Sequence, residues 1–86
     1  MKESLLKAYQ NAMDNVDRWF TCVMRDENQR NKRDDAVECI YCIGIAKMLA
    51  RILQKDYGIN TQKDRENMKK IKDYLKYDFL DELGKA

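Results

Sequence analysis

The sequence predicts an all-α fold: an antiparallel three-helix bundle with a long first helix and a largely buried central second helix, joined to a second copy of itself. Three observations carry this expectation. The chain has 86 residues with no Pro and only 3 Gly, so few breakers interrupt helical stretches. Apolar residues recur every three or four positions in three separate stretches, which is the spacing of one helix face. Short runs without that spacing separate the stretches, and short links make sequential helices turn back on each other. The length fits a single domain, residues 1–86. By surface scaling, a chain of this mass hides roughly 60–65% of its unfolded surface, enough for one modest core.

The first helix is expected over about 2–26. Leu5, Tyr9, Ala12, Val16, Trp19 and Val23 form one row, with Leu6, Met13, Phe20 and Met24 beside it. Lys7, Asn11, Asp14, Arg18 and Arg25 fall on the opposite face. Ser4 is a candidate N-cap. The next nine residues, Glu27 to Asp35, contain no apolar side chain and read as a solvated connection, with Asp34 or Asp35 capping the second helix.

The second helix is expected over about 35–57, closed by Gly58. It carries two apolar seams. One holds Val37, Tyr41, Ile45, Met48 and Ile52; the other, with smaller residues, holds Ala36, Cys39, Ile43, Ala46 and Ala50. Leu49 and Leu53 bridge them, and only the strip with Lys47, Arg51 and Lys55 reads as wet. Ile45 and Leu49 count as core positions, where a charge would unfold the chain. This is more apolar circumference than a three-helix bundle buries, because helices apolar all round are normally surrounded. A two-fold homodimer is the expected cover.

The third helix is expected over about 61–83, with Thr61 and Asp64 as a capping box using Asp for the usual Glu. Its core row is Met68, Ile71, Leu75, Phe79 and Leu83, and Gly84 comes directly after it.

The chemistry such a chain can carry is narrow. Cys39 and Cys42 form a C-x-x-C pair, with Cys22 the third cysteine and no His anywhere. Structural zinc wants four ligands, and a redox pair wants its first Cys at a helix N-terminus. Cys39 lies inside a helix instead, so both thiols read as small core residues, and neither a metal nor a cofactor is expected. Without His, without a glycine-rich loop and with the acidic pairs Asp34-Asp35 and Asp81-Glu82 fanned around a helix, no catalytic constellation forms. A helix-turn-helix register through Gly58 fails, because Gln54, Asp64 and Asn67 occupy positions that motif fills with small or apolar side chains. An odd cysteine count without Cys density suits a reducing cytoplasm. The most apolar run, Ala36 to Leu53, contains Glu38, Lys47 and Arg51 and is too charged to span a membrane.

These readings lead to a small, cytoplasmic, non-enzymatic interaction module that acts stoichiometrically, as an adaptor, regulator or inhibitor. Short, motif-free chains of this kind include inhibitors of phage or mobile-element type. Ile40, Tyr74, Tyr77 and Leu80 fall off the core rows and are the candidate partner-binding residues, Tyr offering area with a polar tip. The competing reading is a helical nucleic-acid-binding protein. It would use the basic loop with Arg30, Lys32 and Arg33 together with Lys69, Lys70, Lys72 and Lys76. Formal net charge is only +2, and acids interleave both basic clusters, so a mixed solvated face is favoured over phosphate binding.

Overall fold

In a computed structural model of the protein, residues 1–77 are described, and among them the structure is all-helical: α1 (Lys2–Arg25), α2 (Gln29–Tyr57) and α3 (Gln62–Leu75). α1 forms where its apolar row demands. Tyr9, Ala12, Val16 and Val23 are buried and Leu5 and Trp19 half-buried, while Lys7, Asn11, Asp14, Arg18 and Arg25 are exposed. The helix already starts at Lys2, without a side-chain cap, so Ser4 lies inside its first turns rather than at its end.

α2 starts six residues before the boundary expected at 35, and neither Asp34 nor Asp35 caps it. Asn28 does: its side-chain oxygen accepts from the backbone N–H of Arg30 at 2.9 Å and of Asn31 at 3.4 Å. A capped run of Gln, Arg, Lys and Asn can be helical without an apolar stripe, since long straight side chains lose little freedom in a helix. From Arg30 onward, Ala36 is the first buried residue of α2. The link between α1 and α2 therefore shrinks to residues 26–28. Gly58 ends α2 with φ +69°, and its N–H reaches back to the Gln54 carbonyl at 3.1 Å.

α1 packs heavily along α2. The contact tracks the small-residue seam: Ala36, Cys39, Ile43, Ala46 and Ala50 are all buried, and so is the bridging Leu53. The Cys39 thiol donates to the Val16 carbonyl at 3.5 Å, so side chain meets backbone across the helix pair. One cluster gathers Val16, Val23, Cys39, Ile43, Met68 and Leu75; a smaller one gathers Tyr9, Ala50 and Leu53, with Met13 and Leu49 packed against both.

α3 lies mainly on α2. Met68 and Leu75 are buried and Ile71 half-buried, as the row required; Phe79, Leu83 and Gly84 lie outside the described residues. The capping box does not form. Thr61 turns its hydroxyl inward and donates to the Ala50 carbonyl at 3.0 Å. Asp64 instead accepts from the Tyr9 hydroxyl at 2.7 Å, tying the start of α3 to α1 across 55 residues of sequence. Arg65 Nη2 reaches the Gln54 side chain, the same oxygen that lies 3.3 Å from the Thr61 hydroxyl. Further along, Phe20 and Tyr74 meet edge to face, with centroids 6.2 Å apart.

Burial corrects one expected core position. Ile45 faces solvent and Leu49 is only half-buried, so the sites intolerant of charge are on the small seam. Ile43→Asp is expected to abolish cooperative unfolding, because an unpaired buried charge costs several kcal/mol against a stability of roughly 5–15. Tyr9→Phe removes only the hydroxyl and strands the half-buried Asp64 carboxylate. A loss of about 1.5–3 kcal/mol is expected, read as a lower urea midpoint at unchanged slope.

Candidate functional site

The outer face of α2 is the candidate site. Val37, Tyr41, Ile45 and Met48 stand on it at intervals of four, four and three, with relative exposures of 49%, 68%, 37% and 58%. Ile52, the next residue of the row, is half-buried. At 3.6 residues per turn this row runs along the side of α2 opposite Cys39, Ala46 and Ala50. The helix is thus apolar on two opposite sides, and α1 and α3 cover only one. The excess seen in the sequence is located on the bulky seam. Close packing of α1 selects the seam rich in Ala and Cys, whose small side chains let the backbones approach, with Ile43 and Leu53 buried among them; the row of Val37, Tyr41, Ile45 and Met48 is left outside.

One edge of the outer row opens into a groove between α1 and α2 of about 270 Å³, lined by Ala8 and Ala12 on α1 and by Cys42, Ile45 and Leu49 on α2. Glu38 lies on that same side of the row, while Lys47 and Arg51 border the other. Gly44 lies midway along the row, on the edge it shares with Arg51, and is exposed. A Cβ added there would meet nothing within 4 Å.

The residues singled out from sequence scatter. Tyr77 is 78% exposed just past the end of α3. Tyr74 is 42% exposed with one ring edge against Phe20. Ile40 is half-buried and packs against the main core cluster, and Leu80 lies outside the described residues. The basic residues divide between two elements. Arg30, Lys32 and Arg33 occupy the first turns of α2, and Lys69, Lys70, Lys72 and Lys76 run along α3 and just past it. Lys32 and Lys72 are half-buried, and the other five are exposed.

The thiols are core groups. Burial first, then the neighbouring Cys42 and Asp17, push Cys39 up from 9.0 to about 11. Burial and then Glu38 raise Cys42 as well. A thiol held in its neutral form is a poor nucleophile and metal ligand. Burial, then a hydrogen bond with Asp26, raises Asp35 in an open cleft beside Cys22 and Arg25. Among the described residues, no group of three or more His, Cys, Asp or Glu side chains could hold a metal ion, and no helix is long and apolar enough to cross a membrane. The chain matches no family model, no curated protein and no solved structure.

The raised Cys39 thiol fixes the sign of an alkaline transition. The folded state prefers the neutral thiol, so its contribution is complete below pH 9 and is lost as pH rises through about 11. Thermal midpoints are expected to fall over that interval, and less steeply in Cys39→Ala. An equal slope in the variant would remove Cys39 as the cause.

Proposed function

We propose that the protein is a small non-enzymatic interaction module, an antiparallel three-helix bundle that pairs with a second copy of itself through the outer face of α2. It acts stoichiometrically on another protein, as an adaptor, regulator or inhibitor, in a reducing cytoplasm that keeps its three free thiols reduced. The observation that carries the reading is the exposed row Val37, Tyr41, Ile45 and Met48 on a helix whose other side is already buried. A contiguous, bulky, apolar row marks an association surface more than scattered surface residues do. The sequential contacts suit an antiparallel arrangement: Val16 meets Cys39, while the earlier Tyr9 clusters with the later Ala50 and Leu53. Tyr74 and Tyr77, at the end of α3, offer the second helix face on which a different protein can dock.

Light scattering is expected to give a mass near twice 10.3 kDa at micromolar concentration. Tyr41→Asp should return it to one chain mass with an unchanged helical circular-dichroism spectrum, since Tyr41 is 68% exposed in the single chain. A wild-type chain that stays monomeric across the micromolar range would sink the pairing. Tyr77→Ala should leave the mass unchanged and the stability within about 0.5 kcal/mol of wild type; unfolding would mean that this tyrosine is core.

A further inference from the structure

Two features of the outer face say how the copies meet. The first is Gly44. A glycine inside a helix destabilises it relative to Ala, because more backbone freedom is lost on folding. Nothing in the chain demands one here, because a Cβ at Gly44 would find open space. What a mid-helix glycine at the edge of an apolar row does permit is the close approach of another backbone.

The second feature is the symmetry of the row about the Gly44–Ile45 peptide. Val37 and Ile52 are equidistant from it, and so are Tyr41 and Met48. Asp34 and Lys55 are equidistant too; each is exposed and extends the row by three residues at one end. A two-fold contact is isologous, so that residue i of one copy meets residue j of the other and j meets i. Antiparallel pairing about Gly44 sets Tyr41 against Met48 and puts an acid against a base at both ends. A parallel pair would instead set Lys55 on Lys55 and Asp34 on Asp34.

We propose that two copies pair with their α2 helices antiparallel and crossing at Gly44, so that Asp34 of each copy meets Lys55 of the other. This rests on the homodimer reading above and adds its register. A shallow crossing, with the helices inclined at about 20°, keeps both ends within reach, since Asp34 and Lys55 lie about 16 Å from the crossing at about 1.5 Å per residue. Other occupants of the face are disfavoured by the same design: a different protein has no reason to match the internal symmetry of the row.

The test is a dimer dissociation constant for the full chain, measured by analytical ultracentrifugation at low salt. Asp34→Lys and Lys55→Asp are each expected to weaken the dimer about tenfold, because the contact occurs twice. The double variant should return to within about threefold of wild type. Gly44→Leu should keep or raise the thermal midpoint, as the added side chain meets nothing in the single chain, and should abolish the dimer. If the dimer forms but the double reversal fails to restore it, or Gly44→Leu dimerises normally, the crossing is wrong while the homodimer stands. If wild type shows no dimer at any concentration, both readings fall.

Discussion

The narrow seam on α2 sets the distance at which the rest of the molecule packs. Ala36, Cys39, Ala46 and Ala50 carry little beyond Cβ, so α1 settles close enough for the Cys39 thiol to reach the Val16 carbonyl. A protein interior is packed like an organic crystal, and its lining atoms lose contacts wherever a gap opens. Bulky α1 side chains such as Trp19, Phe20 and Met13 then wrap the edges of the seam instead of wedging it open. The same closeness desolvates both cysteines of the C-x-x-C pair. Their chemistry is suppressed by the packing that needs their size.

α3 depends on a different kind of interaction. Among the described residues, no Cα of α1 comes within 8 Å of one in α3, and a groove of about 390 Å³ lies between them, edged by Met13 and Ile71. Few large side chains hold α3, so the polar contacts at its start matter more than their number suggests. Thr61 gives up its capping role to donate to the Ala50 carbonyl, and Asp64 gives up its own to receive Tyr9. Burial, and then that hydrogen bond, raise the Tyr9 hydroxyl far above its ordinary range. The phenol stays neutral and remains a donor at any physiological pH. The Asn60 side chain meanwhile accepts from the Gln62 backbone N–H at 3.0 Å, which leaves Thr61 free for its inward bond.

Much of this was legible in the sequence because periodicity reports directly on which face is buried. The α1 row, the small seam of α2, the Gly58 cap and the start of the α3 row all follow from spacing alone. Three features did not. The polar run before Ala36 read as a connection because solvated helix and solvated loop share a composition; only the Asn28 cap distinguishes them. Asp64 read as a local cap because its partner, Tyr9, lies 55 residues away, outside any window of sequence. The two seams of α2 looked equally buried, since the pattern shows that a face is apolar without showing what covers it. The size difference between the seams held that answer. A close-packed neighbour takes the row of Ala and Cys, and Val37, Tyr41, Ile45 and Met48 are what remains.

That remainder stems from how the three helices are arranged. α2 can be enclosed only if its neighbours occupy both sides, and here α1 and α3 each take part of one side. Among the described residues, no fourth helix takes the other. Small domains bury a smaller share of their surface and gain most from burial beyond their own chain. An apolar outer row on the central helix therefore adds nothing to the isolated fold and exposes it to indiscriminate association. It becomes useful when the covering surface is specific, and specificity needs shape and charge that match only one partner. Under the proposed pairing, a row with bulky residues equidistant from the Gly44–Ile45 peptide, an acid at one end and a base at the other, would match its own image. That pairing would give the surplus hydrophobicity of α2 and the glycine inside it a common cause.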